Sequence, residues 1–332
     1  MRSQLALSVR DLAETRFSIS PMWEVVTSFR ALVTVPVPEI QRSWAAQVRP
    51  RLLDAGLDRG WLADMIPAAG HLPDFLNPPT AAACADIEDE LAAIRRTDPT
   101  LVRRDLDTIL ADGGWHGRRL SARLKSLHRE PERHLPRVAG EIETYWQLAL
   151  APYWARIRTV LEADVFHRAR QVAERGTAAA LNDLHATVRW DDGTLLLTER
   201  HCAIARIATA AGLLLVPSAF AWPRVLTRSV GADPPQIAYP ARGSATLWEQ
   251  RAQHRAPALA RVIGNSRVLL LTELESPAST TDLAGRSGLS AAGVSQHLTA
   301  LRAAGLVSCH RAGRSVLYAR TAVADALLAA QS

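Results

Sequence analysis

The sequence predicts a mainly α protein: a helical N-terminal domain with a small β-sheet insert, followed by a C-terminal winged helix-turn-helix. Three observations carry this reading. Apolar residues recur at helical spacing through most of the chain as far as Leu184. The texture then changes to short strand-like runs between residues 186 and 240. Finally, Ser279 to Arg320 parses as a helix, a glycine turn, a second helix and a basic hairpin. A chain of 332 residues has room for two cores. The boundary is placed between residues 255 and 256.

Taken in order, Leu5, Leu7 and Val9 alternate and predict a short edge strand. Ser20-Pro21 has the N-cap and first-turn proline of a helix that must end before Pro36 and Pro38. Glu39 to Asp54 repeats the pattern, with Ile40, Trp44, Val48 and Leu52 on one face. Glycines and prolines punctuate residues 55–80, which predicts short helices and turns. Ala81–Arg96 and Pro99–Leu110 read as two more helices, closed by a turn at Gly113-Gly114. From Arg118 to Leu184 the pattern is helical almost throughout. Pro152 there either kinks one long helix or starts a new one, and Gly176 marks the next break. Asp191-Asp192-Gly193 between two apolar runs is a hairpin signal. Gly212–Val216 and Gln236–Tyr239 are further strands, and a helix from Ala245 to Ile263 leads into the last unit.

That unit carries the most specific signal. Ser279 and Asp282 have capping-box spacing, which satisfies the first free N–H groups of a helix running to about Arg286 and stopping at Gly288. Ser290 caps a second helix, which ends near Ala304 with Gly305 as C-cap. Val294, Leu298 and Leu301 form its buried stripe. The opposite face carries Ala292, Ser295, Gln296, Thr299 and Ala303, flanked by His297 and Arg302. These side chains are small or hydrogen-bonding, and none is an acid that would repel phosphate. Such a face fits against base edges in a DNA major groove. Leu306–His310 and Ser315–Arg320 then form a hairpin around Arg311-Ala312-Gly313-Arg314, with two arginines placed for the backbone or minor groove. The predicted contacts to double-stranded DNA are Ser290, Ala292, Ser295, Gln296, His297, Thr299, Arg302, Arg311 and Arg314.

Through NSRVLLLTEL, TTDLAGRSGLS, VSQHLTALRAAGLV and RAGRSVLYAR, residues 265–328 resemble the ArsR/SmtB family of winged-helix repressors. The resemblance implies that the helix bearing Ser295, Gln296 and His297 enters the major groove, with Arg311 and Arg314 on the wing. It also implies a homodimer on an inverted repeat, repressing until a small effector releases it. Metal sensing is not expected at the family's usual sites. Ala278 and Thr280 stand where a Cys-x-Cys pair would be, and the terminal helix offers one carboxylate, Asp325, and no histidine. Further upstream, LVPSAFAWP and YPARG resemble an N-terminal domain fused to ArsR-type readers in actinobacterial regulators, which implies an architecture and no ligand.

Composition narrows the alternatives. Net charge is +6, and Lys125 is the only lysine among 39 basic residues. The charge is shared between both parts of the chain, so the motif, not the basicity, carries the nucleic-acid reading. No apolar run suits a membrane span and the N-terminus lacks a secretory pattern. Both features predict a cytoplasmic protein, and three cysteines without close spacing predict reduced thiols. His201-Cys202 and Cys309-His310 lack the spacing of a zinc site, so no metal and no cofactor are expected. Phosphate-binding glycine loops and nucleophile elbows are missing, and Ser218 has no histidine placed by motif to activate it, so no enzyme is expected. The acidic run Asp86, Glu88, Asp89, Glu90 reads as a solvated face, and Asp191-Asp192 as a turn. All nine tryptophans precede Ala256. They read first as core. A pocket for an apolar or planar effector is the other reading, with Trp222 and Arg242 as its candidate residues. Two rivals to a plain repressor stay open: a ligand-gated regulator, and a protein-interaction module whose winged helix does not bind DNA.

Overall fold

The computed structural model describes residues 3–80, 82–111, 121–198, 205–206, 212–248, 257–312 and 315–330. Strands β1 (Ser3–Ala6) and β2 (Arg16–Phe17) flank helix α1 (Val9–Ala13). Helices α2 (Pro21–Val33), α3 (Arg42–Asp54), α4 (Trp61–Met65), α5 (Ile87–Arg95) and α6 (Pro99–Ala111) follow. Next come α7 (Ala122–Arg129), α8 (Pro131–Tyr145), α9 (Trp154–Arg175) and α10 (Thr177–Asn182). The strand-rich stretch holds β3 (Val188–Asp191), β4 (Thr194–Leu197), β5 (Ala205–Arg206), β6 (Leu214–Ser218), β7 (Leu226–Arg228) and β8 (Gln236–Pro240). The chain closes with α11 (Pro257–Ile263), α12 (Asn265–Glu273), α13 (Thr280–Ser287), α14 (Ala291–Ala303), β9 (Val307–Ala312), β10 (Ser315–Arg320) and α15 (Ala322–Ala329). The architecture is mainly α, with a C-terminal winged helix-turn-helix.

Local chemistry sets most boundaries. Ser20 accepts from the Trp23 amide and Pro21 opens the first turn of α2. Asp86 caps α5, so this helix starts at Ile87 rather than Ala81. The residues before it include Cys84, which bridges to Ile19 in extended form. At Pro152 a π turn (Trp146–Leu150) and a 3-10 turn (Ala151–Tyr153) separate α8 from α9, because proline lacks the N–H that a continuous helix needs. The helix expected from Ala245 to Ile263 is instead a 3-10 turn at Ser244–Trp248 and then α11; residues 249–256 between them lie outside the described residues. The expected turn at Gly113-Gly114 and the pair His201-Cys202 lie outside them as well.

The β-structure extends beyond the expected insert. One four-stranded sheet has the order β3-β4-β1-β5 and the other β2-β6-β8-β7. The N-terminal strands therefore complete both sheets. β1 is also an inner strand, antiparallel to β4 and parallel to β5, rather than an edge. Alternation misassigned Val9, which is 86% exposed at the start of α1, because Ser8 and Asp11 form a capping box that ends the strand. In the β3–β4 hairpin, Asp192 and Gly193 have φ of 38° and 80°, the left-handed pair of a tight hairpin turn.

Three main cores result. The largest gathers α2–α9, including Trp44, Phe75, Tyr145 and Ile157. A second lies around the two sheets, with Leu5, Leu195, Leu215 and Ile237. The third holds the C-terminal helices, with Leu270, Leu283, Val294 and Leu298. Leu317, on β10, packs into the first core and so ties the C-terminal hairpin to the N-terminal helices. The acidic run is only partly solvated. Asp86, Glu88 and Asp89 are exposed, but Glu90 is buried and accepts from the Ser20 hydroxyl (2.6 Å) and the Met22 amide (2.8 Å). Its carboxyl sits at the positive end of α2, and burial pushes its pKa up to about 7. Among the described residues no helix is long and apolar enough to cross a membrane.

Candidate nucleic-acid interface

The reader is assembled from caps outward. Ser279 Oγ accepts from the Asp282 amide at 3.2 Å, while the Asp282 carboxylate accepts from the Ser279 amide at 3.1 Å. The hydroxyl and amide of Ser279 hold the Asp282 carboxyl below its ordinary pKa. Gly288 takes φ of 71° to end α13, a conformation that a β-carbon would penalise. Ser290 Oγ then accepts from the Gly293 amide at 3.1 Å and starts α14. Gly305, with φ of 69°, ends it, and the Leu306 amide returns to the Leu301 carbonyl. Val294, Leu298 and Leu301 are buried against Leu270, Leu271 and Leu283, so the sequence of α14 fixes which side faces out.

That outer side presents Ala292, Ser295, Gln296, Thr299, Arg302 and Ala303, all exposed. His297 is half-buried on the flank. Ser290 is exposed but its hydroxyl already serves the cap. The Thr299 hydroxyl donates to the Ser295 carbonyl (2.9 Å) and keeps its lone pairs for an outside donor. The face therefore offers one amide, hydroxyl oxygens and one guanidinium, without a carboxylate.

The hairpin pairs Ser315 with Ala312 through to Arg320 with Val307. An isolated antiparallel bridge adds to it where Ala278 and Tyr318 exchange amide bonds of 3.1 and 2.9 Å. Arg311 is exposed near the tip, and Arg314 lies outside the described residues. The remaining charged groups of the hairpin are committed elsewhere. Arg320 pairs with Asp325 at 2.9 Å and donates to the Leu271 carbonyl, locking α15 in place. His310 bonds to Ser308 at 2.9 Å, and burial lowers its pKa, which keeps it neutral. Cys309 is half-buried opposite Tyr318.

The effector candidates fare differently. Trp222 is 49% exposed, with its ring edge-on to His185. Arg242 is exposed on a different loop, and its amide donates to Asp164 at 3.0 Å. Most of the other described tryptophans are core residues. The Trp23 indole N–H is satisfied by Gln236 (2.7 Å) and that of Trp44 by the Ala149 carbonyl (3.0 Å). Trp115 lies outside the described residues. Ser218 is fully buried on β6, and its hydroxyl bonds with Thr27 Oγ1 (3.1 Å), the Phe220 amide and the Glu24 carboxyl. Sequence reasoning missed Arg51, whose Nη2 donates to the Pro277 carbonyl just ahead of α13. A lone arginine on a helix gives no local signal of a partner so far along the chain.

Comparison with known proteins agrees with this geometry. Residues 266–308 match the family described as bacterial regulatory protein, arsR family. Residues 103–245 match a family of unknown function, DUF5937. The HTH-type transcriptional regulator NmtR of Mycobacterium tuberculosis is 42% identical over 78 residues, 23% of this chain and 65% of that protein. The match thus spans about two thirds of NmtR and leaves most of this chain uncovered. No solved structure matches the chain. With its caps, its buried stripe and its strand-paired hairpin, the C-terminal part of this chain is an ArsR-family helix-turn-helix, joined to an N-terminal part that matches a family of unknown function.

Proposed function

We propose that this chain is a cytoplasmic DNA-binding transcriptional regulator, acting as a homodimeric repressor on an inverted-repeat operator and having no enzymatic activity. Residues 256–332 form the DNA-reading domain, and residues 1–255 form a regulatory and dimerisation domain that sets the spacing of two readers. The single observation that carries this reading is the exposed, acid-free face of α14, with Ser295, Gln296, Thr299 and Arg302 outward and Val294, Leu298 and Leu301 buried beneath. Gln296 and Arg302 suit adenine and guanine edges or phosphate. Arg311 and Arg314 add charge from the hairpin. The match to NmtR, described as an HTH-type transcriptional regulator, supports the same reading. A second copy has apolar surface to cover near the reader. α11, α12 and α15 pack together through Leu259, Val268 and Leu328, yet leave Val262 80%, Val323 58% and Leu269 39% exposed.

The test is a titration of the purified chain on its own upstream DNA at two salt concentrations, against scrambled competitor. A tight, salt-dependent shift with a two-fold symmetric footprint is expected. Binding no better than to competitor overturns the reading and leaves the interaction module. A ligand-gated version is favoured by one observation: the reader is seated on the N-terminal part through Leu317 and Arg51. Saturable quenching of tryptophan fluorescence by an effector that also shifts DNA affinity would establish that version.

A further inference from the structure

Away from the reader, three metal-ligating side chains converge in the N-terminal part. One ligand atom from each of His71, Asp74 and Asp105 lies within 4.8 Å of the others. They come from the loop before a 3-10 turn, from the turn itself (Asp74–Leu76) and from α6. Backbone bonds hold this arrangement. The Phe75 amide donates to Asp105 Oδ2 at 2.8 Å, and Arg228 Nε donates to the Asp74 carbonyl at 3.0 Å. Arg30 fixes the loop ahead of His71 through the carbonyls of Pro67 and Gly70. Asp105 is 2% exposed, while His71 and Asp74 are half-buried, so the group is open to water on one side only.

The nearby guanidinium groups of Arg228 and Arg104 offset the charge of this group only in part. Two carboxylates this close together and largely out of water repel each other. Among the described residues neither carboxylate has an ion-pair partner. Arg228, buried beside them, commits Nε to the Asp74 carbonyl and Nη2 to Asp233 at 2.8 Å. We propose that His71, Asp74 and Asp105 bind one divalent first-row metal ion, of which Zn²⁺ and Mn²⁺ fit the ligand set best. An imidazole suits zinc, and carboxylates suit both ions. Metal–ligand bonds of about 2.0–2.2 Å require the three donors to close by about an ångström, which half-exposed His71 and Asp74 can do by side-chain rotation. The expectation of no metal, drawn from cysteine and histidine spacing, missed this group because His71 and Asp105 are brought together only by folding.

The experiment uses the full chain, stripped with EDTA and desalted, then titrated with Zn²⁺ and with Mn²⁺ by calorimetry and by equilibrium dialysis with elemental analysis. Co²⁺ serves as a spectroscopic probe. One equivalent of ion bound, a raised Tm, and a cobalt spectrum without thiolate charge-transfer bands are expected. His71→Ala and Asp74→Asn should each weaken binding at least tenfold, and the ion-free Asp74→Asn chain should keep a Tm near or above that of the parent chain. The absence of thiolate bands separates this site from Cys84 and Cys309. Overturning results are a parent chain that binds neither ion, binding unchanged in both variants, or cobalt bands that report thiolate ligation. A chain that binds no ion, yet gains Tm in Asp74→Asn at neutral pH, would show that a shared proton takes the place assigned to the metal.

Discussion

Arg51 on α3 donates from Nη2 to the carbonyl of Pro277, 3.4 Å away and 226 residues later in the chain. Pro277 stands two residues before Ser279, the cap of α13, so this bond anchors the entrance of the helix-turn-helix to the N-terminal part. Arg51 also interacts with the Tyr153 hydroxyl, which donates to Gln47. Leu317 reinforces the seat by packing into the largest core. Arg51→Ala should cost about 1.5 kcal/mol, the low end for a hydrogen bond made by a charged group. Its diagnostic effect is local: hydrogen exchange at the amides of residues 278–283 should speed up while the sheets of the N-terminal part stay protected. Unchanged exchange there would mean the bond contributes nothing to the seat.

The exposed face of α14 makes a prediction about specificity. Gln296→Ala should cost on the order of 1–3 kcal/mol at one base pair per half-site and little elsewhere. Arg311→Ala should weaken binding to all sequences and reduce the salt slope by about one, and Arg314→Ala should do the same. A binding matrix over single-base operator variants, at two salt concentrations, separates the two patterns. If Gln296→Ala lowers affinity uniformly and Arg311→Ala changes only sequence preference, the roles of helix and hairpin are exchanged.

Caps offer a test in the absence of DNA. Ser290 is exposed and its hydroxyl bonds only the Gly293 amide among the contacts described, so Ser290→Ala removes a cap with little loss of packing. A destabilisation of about 1 kcal/mol is expected. Chemical denaturation followed by far-UV circular dichroism measures it. A loss well above 2 kcal/mol would mean that Ser290 does more than cap the helix.

The parts of the structure that were legible in the sequence are those in which the determining residues are neighbours. Ser279 with Asp282, Ser290 with Gly293, and Asp192 with Gly193 set their turns within a few residues, and each turn is where spacing predicts it. The buried stripe of α14 follows from its period alone. What the sequence concealed depends on distant partners. The two-residue strands β2 and β5 are too short for alternation to register, and they exist because β6 and β1 pair with them. Glu90 looks like part of a solvated acidic run until α2 places its first amides against it. The same holds for Ser218, which after folding lies between Thr27 and Glu24.

Glu24 supplies a prediction about pH. It is fully buried on α2, and both carboxylate oxygens accept from the Ala219 amide at 3.2 Å. Burial outweighs these bonds and pushes its pKa from 4.5 to about 8. Between those values the folded chain holds a proton that the unfolded chain releases. Stability from this group is therefore complete below pH 4.5 and declines as pH rises toward 8, by at most about 1.4 kcal/mol per pH unit. Glu90, raised to about 7, acts in the same direction over a narrower window. Glu24→Gln keeps an acceptor for the Ala219 amide and removes the titration. In urea denaturation with EDTA present at pH 5, 6.5 and 8, the variant should lose one group's share of the downward slope and exceed the parent chain in stability at pH 8. Equal slopes for the two proteins would show that Glu24 is already ionised in the native state, and that the β6 end of the core is wetter than its packing indicates.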